Sequence, residues 1–212
     1  MTNPIPHPPR SIPQVMVSST FIDLKDLRRI MFDEINRYDM RAEGMEHDGA
    51  RLVDSLASSL EMVLNSAGYV CVIGQRYGGV PECPKQNPDN LSVTELEFNA
   101  AQARGLPILL FVMRDDYKPL GKDDWERDPA KEAKLNAFRE RAKLISSGSK
   151  LRRVYAEFSS PEEFARVITP SLIELRDHLR KPAPARADGD VIPTPPAFYA
   201  NPDYIGRNNF IG

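Results

Sequence analysis

The chain has 212 residues, enough for one ordinary domain with tails, and 28 basic against 30 acidic side chains give a net charge of −2. The two signs are interspersed, which argues against a non-specific nucleic-acid binder or a protein of anionic membrane surfaces, since both need a basic face. Of 19 prolines, 11 fall in residues 1–13 and 181–212, so residues 1–13 read as a disordered proline-rich N-terminus, 14–181 as the folded domain and 182–212 as a proline-rich linker.

The middle segment is long enough to bury about two-thirds of its unfolded surface without staples. Cys71 sits in an apolar run and Cys83 in a proline-rich loop, with nothing to pair them. That usage fits a cytoplasmic chain. The longest apolar run, "ILLFVM", is too short for a bilayer, and the N-terminus lacks a signal core. His7, His47 and His178 have no ligand spacing, so no metal is expected. "KLRR" at 150–153 is the one dense basic cluster and reads as a solvated edge.

In chain order, "QVMV" (14–17) is a short buried strand, followed by apolar residues at helical spacing: Leu24, Leu27, Ile30, Met31 and Ile35. "MRAEGM" (40–45) is a weak strand suited to a sheet edge. Leu52, Val53, Leu56, Leu60, Val63 and Leu64 make a second amphipathic helix, with Gly68 where a left-handed cap would sit. "YVCVIG" (69–74) is apolar throughout, as for a strand covered on both faces. A long loop leads to a helix from about Val93 to Arg104, ended by Gly105 and Pro107. "ILLFVM" (108–113) is the clearest strand. A charged helix follows at about 130–145, then a strand at 152–158. Pro161 after Ser159-Ser160 opens the last helix, and Pro170 is expected to kink or split it. Five βα units predict a five-stranded parallel α/β sheet of flavodoxin-like order 2-1-3-4-5, with helices on both faces. Ligands of such sheets bind at the strands' carboxyl ends, at the switch point between strands 1 and 3.

That position gathers three segments. The glycine-free turn Ser18-Ser19-Thr20 either caps the first helix, Thr20 with Asp23 three residues on, or offers N–H groups and hydroxyls to a phosphate or ribose. Neither a P-loop nor a G-x-G-x-x-G fingerprint is present. In "IGQRYGG" the glycines, Gly74 and Gly78 among them, permit close backbone approach. Arg76 suits a phosphate or carboxylate, and Tyr77 suits stacking on a base. A tight loop with a surface arginine is the competing reading. In "LSVTELEFNAAQARGLP", Ser92 and Glu95 have capping-box spacing, which gives Glu95 a structural task. Glu97 has none. It lies beside Ala101 near the sheet-facing side, where a carboxylate is costly unless paired or used. It is either an exposed surface glutamate or a catalytic acid or nucleophile.

The three segments in this order, "VMVSSTFIDLKDLRR", "GYVCVIGQRYGG" and "LSVTELEFNAAQARGLPILLFV", resemble the family called domain of unknown function 4062, over about residues 15–114. That family is similar to TIR domains and to nucleoside 2-deoxyribosyltransferases, in which a helix glutamate acts on an N-glycosidic bond. The resemblance implies Glu97 as the catalytic residue. It also implies NAD or a related nucleotide as substrate, no bound cofactor, and Ser18, Ser19, Thr20, Gly74, Arg76, Tyr77 and Gly78 as nucleotide-binding residues. "PPAFYANPDYIGRNNFIG" resembles the lead-in to a STAND-type NTPase. This implies an effector module of a longer chain with an NTPase domain and a C-terminal sensor, working in bacterial antiphage defence by self-association on activation. The alternative is a non-enzymatic TIR-like module for self-association or partner docking.

Overall fold

The computed structural model describes residues 12–20, 23–45, 52–117, 121, 125–146 and 155–181. The expected linker at 182–212, most of the N-terminal segment, the 150–153 basic cluster, the start of the fifth strand, His7 and His47 lie outside them. The elements are β1 (Gln14–Ser19), α1 (Lys25–Arg37), β2 (Arg41–Glu43), α2 (Leu52–Asn65), β3 (Gly68–Ile73), α3 (Val93–Ala103), β4 (Ile108–Met113), α4 (Pro129–Ser146), β5 (Tyr155–Phe158) and α5 (Pro161–Arg180).

All four strand pairings are parallel and the order is β2-β1-β3-β4-β5, as the element pattern predicts. Strand side chains alternate between two apolar layers. Val15, Val17, Val70, Val72, Leu109 and Phe111 face α1 and α5, meeting Leu27, Met31, Phe164, Ile168 and Leu172. Met16, Tyr69, Cys71, Leu110 and Val112 face the other way, meeting Leu60, Phe98, Ala101, Leu135 and Phe138. β3 and β4 are buried at every position, and β2 at none. That is why "YVCVI" and "ILLFVM" show no polar alternation while "MRAEGM" does.

Two of the helix ends follow local chemistry closely. Gly105, at φ +67°, closes α3. Its N–H donates to Gln102 O at 2.9 Å and that of Leu106 to Ala101 O at 3.1 Å, the paired bonds of a Schellman cap. Ser160 caps α5, accepting from Glu163 N at 3.1 Å with Pro161 next. Gly68, by contrast, is no left-handed cap. It opens β3, and a Cβ there would meet Leu175 at 3.3 Å, so its small size serves sheet–helix packing. Pro170 does not split α5 either, which runs through it unbroken. Phe164, Ile168, Leu172 and Leu175 hold both halves against the sheet. Flanking hydroxyls serve nearby carbonyls, Thr169 to Ala165 O at 3.2 Å and Ser171 to Val167 O at 3.0 Å.

Among the described residues no helix is long and apolar enough to cross a membrane. None of their His, Cys, Asp and Glu side chains form a group that could hold a metal.

Candidate functional site

At the carboxyl ends of β1 and β3, a cavity of about 360 Å³ opens between the α1 layer and the α3 layer. Its size falls within the range of small-molecule sites. Ser19 and Thr20 at the end of β1, Arg76, Gly78 and Gly79 from the β3–α3 loop, Thr94 and Glu97 from α3, Arg28 from α1, Glu126 from the approach to α4 and Lys131 from its first turn all line it. The topology makes this juxtaposition: β1 and β3 are adjacent in the sheet, and their following helices go to opposite faces.

Glu97, the fifth residue of α3, is 5 % exposed. The Ser18 hydroxyl, pointing to the α3 side of β1, donates to its carboxylate. Burial pushes the Glu97 carboxyl up to about 7, against the downward pull of Ser18, Ser59 and the Arg28 charge. A carboxylate on this apolar helix face, half-ionised near neutrality and reaching the cavity, is suited to meeting positive charge that develops on a ligand. Behind it, Tyr69 and Cys71 are fully buried, and burial raises both above their ordinary range. The Tyr69 hydroxyl makes no hydrogen bond among the described residues.

The Ser-Ser-Thr turn is engaged internally. Ser18 serves Glu97, Ser19 Oγ accepts from Arg28 Nη1 at 2.9 Å, and the Thr20 hydroxyl donates to Asp23. Thr20 does not cap α1, contrary to the capping expectation. The N-cap residue is Leu24, with no side-chain bond. Asp23 is drawn away from the helix by the Gln75 N–H at 2.9 Å, and burial raises its carboxyl above the usual range. A long-range bond has displaced the local one.

That bond fixes the β3–α3 loop from beneath. Gly74 is required there, because a Cβ would stand 2.1 Å from Asp23 Oδ2. From the far side the buried Arg139 donates to Gly74 O at 2.6 Å and to Gln75 Oε1 at 2.8 Å. Glu126 adds two more ties, its N–H to Gln75 O at 2.9 Å and its Oε2 accepting from Tyr77 N at 3.1 Å. Gly78 turns the chain at φ +89° against Thr20, where a Cβ would lie 2.9 Å from Cγ2.

Of the eight residues singled out in the sequence, Ser19, Thr20, Arg76, Gly78 and Glu97 line the cavity. Ser18 and Gly74 support it from outside the wall. Tyr77 is elsewhere. Its ring is 1 % exposed in the α3-side core and its hydroxyl donates to Glu95 Oε2 at 2.5 Å, so it does not offer a stacking face. Glu95 itself completes only half of a capping box. Ser92 Oγ accepts from its N–H at 3.3 Å, but its carboxylate goes to Tyr77 and to Arg141 at 2.7 Å.

The sequence reading missed Arg28, Thr94, Glu126 and Lys131. Arg28 was legible. It stands four residues after Leu24 and three before Met31, on the buried stripe of α1, and is 7 % exposed while donating to Ser19 and to Met45 O at 3.0 Å. Glu126 and Lys131 reach the cavity only through the fold of the β4–α4 connection, which no local pattern announces.

The profile of the family described as "Domain of unknown function (DUF4062)" matches residues 14–173. The chain belongs to that family. Neither a curated protein nor a solved structure matches it. The DUF4062 match covers β1 through most of α5, so the cavity and every residue lining it lie inside the family's domain.

Proposed function

We propose that this DUF4062 domain cleaves the N-glycosidic bond of a nucleotide of the NAD class, with Glu97 as the catalytic residue. The observation that carries the reading is the buried Glu97 carboxylate, held by Ser18 at the edge of a ligand-sized cavity. As the C–N bond breaks, its electron pair leaves with the base and positive charge builds on the ribose. The carboxylate either steadies that charge or traps it as an ester, and water then completes the hydrolysis. Nicotinamide leaves NAD neutral, so no general acid is required. The resemblance of residues 195–212 to a STAND-type lead-in supports an effector role in a longer chain, active when copies are held together in antiphage defence.

A docking module is the second reading. It draws support from Leu144 on α4 and Tyr155 on the edge strand β5, large apolar side chains that are exposed. Nicotinamide release from NAD by the assembled full-length protein separates the two. Glu97→Gln is expected to lower turnover on the order of a thousandfold or more with the fold intact. Glu95→Gln should keep turnover and lower stability by about 1–2 kcal/mol, through its charged bonds to Arg141 and Tyr77. Full activity in Glu97→Gln, or signalling without cleavage of any nucleotide, would favour docking.

A further inference from the structure

The hydroxyl accounting of the Ser-Ser-Thr turn leaves a question: if those groups serve Glu97, Arg28 and Asp23, what would hold a ligand's phosphate? The opposite wall has the chemistry. Val93 and Thr94, the first two residues of α3, reach the cavity, so the positive end of that 11-residue helix faces it. The other early N–H groups are engaged, Val93 with Gly79 O, Glu95 with Ser92 Oγ and Leu96 with Ser92 O. The Thr94 N–H and its hydroxyl make no hydrogen bond among the described residues, although Thr94 is only 8 % exposed. Thr94 lines the cavity, so both groups are open to a ligand there. Arg76 and Lys131 line the same cavity, and Gly78 and Gly79 leave room for close approach to the backbone.

The balance of charge agrees. Among the described residues Arg28, Arg76 and Lys131 face Glu97 and Glu126, so that lining is net positive whether Glu97 is ionised or not. Among the described lining residues the carboxylates are Glu97 and Glu126, and the oxygens of Glu126 already accept from the N–H groups of Tyr77, Arg127 and Asp128.

We propose that the α3 start, with Thr94, Arg76 and Lys131, is a phosphate seat, so that the cavity selects phosphorylated ligands while the Ser-Ser-Thr turn organises Glu97 and Arg28 without touching phosphate. This rests on the nucleotide reading above for the kind of ligand, but not on cleavage.

The test is calorimetric binding of ribose 5-phosphate and of ribose to this chain, with Thr94 followed by its amide NMR signal. Wild type should bind ribose 5-phosphate at least tenfold more tightly than ribose, and the Thr94 amide should shift with the phosphorylated sugar only. Lys131→Gln, whose side chain is on the rim, should cut most of that preference, about tenfold, with an unchanged melt. Equal binding of the two sugars, an unmoved Thr94 amide, or an undiminished preference in Lys131→Gln would overturn the seat. Phosphate-dependent binding without nicotinamide release would uphold the seat and reject the glycosidase. Cleavage of nucleosides with no preference for nucleotides would do the reverse.

Discussion

Glu97 and Glu95 stand two residues apart on one helix, yet their surroundings give them opposite characters. Glu95 is met by an arginine and a tyrosine hydroxyl, so its charge is matched. Glu97 is met by hydroxyls and a more distant guanidinium, and burial lifts it from 4.5 to about 7. The sign of the consequence follows from linkage. Between those two values the folded state holds a proton that the unfolded state has lost, so stability falls as pH rises across that window and the full cost is present above it. The cost is on the order of 3 kcal/mol. Glu97→Gln removes it, so this variant should be more stable than wild type at pH 8, by up to about that amount. The difference should shrink through pH 6 and vanish near pH 4.5. Denaturant melts across pH 4.5–8 check this, and equal stability at all pH values would contradict it. Turnover should run the other way, rising through pH 7 as the carboxylate ionises. The sequence made Glu97 legible because a charge on a small-residue face has no local explanation. It could not show Tyr77 turning inward, because whether an aromatic in a glycine loop stacks outward or packs inward depends on a partner 18 residues away.

At the scale of elements, patterns set by nearest neighbours were readable and patterns set by distant ones were not. The Schellman end of α3 and the Ser-Pro start of α5 are local, and both formed. The start of α1 was misread because Asp23 bonds a residue 52 positions away. The expected split at Pro170 was misread for the same kind of reason. A proline deep in a helix removes one backbone bond and crowds the preceding turn, but the apolar stripe on either side of it is continuous, and burial of that stripe keeps the helix unbroken. The residue should therefore cost stability without breaking the helix. Pro170→Ala is expected to stabilise the domain, by up to about 3 kcal/mol, with an unchanged circular dichroism spectrum. A destabilised variant would show that the native backbone at 170 is shaped for proline and that the unfolded-state entropy term wins instead.

Over the whole molecule the sheet order came through most fully, because it depends on sums over many residues. Continuous apolar runs mark β3 and β4 as covered on both faces, a polar run marks β2 as an edge, and right-handed crossovers leave few ways to join them. The cavity is a product of that order, since it lies where the crossovers diverge. The same burial gradient predicts how the domain opens. β3 and β4 are buried at every position and each pairs on both sides, whereas β2 pairs on one side over three residues and β5 has only Phe158 buried. Opening an edge strand exposes little apolar surface, while opening β3 exposes both layers at once. Native-state amide exchange should therefore be slowest in β3 and β4, intermediate in β1 and fastest in β2 and β5. The first two should exchange only by global unfolding. The cavity loops hang from the slow strands, because Gly74 continues β3 and Arg139 ties it to Met113 at the end of β4. Protection should accordingly extend past Ile73 to Gln75. If the Gln75 amide exchanges as fast as those of β2, the bond from Gln75 to Asp23 does not hold the loop in solution, and the cavity floor opens independently of the sheet.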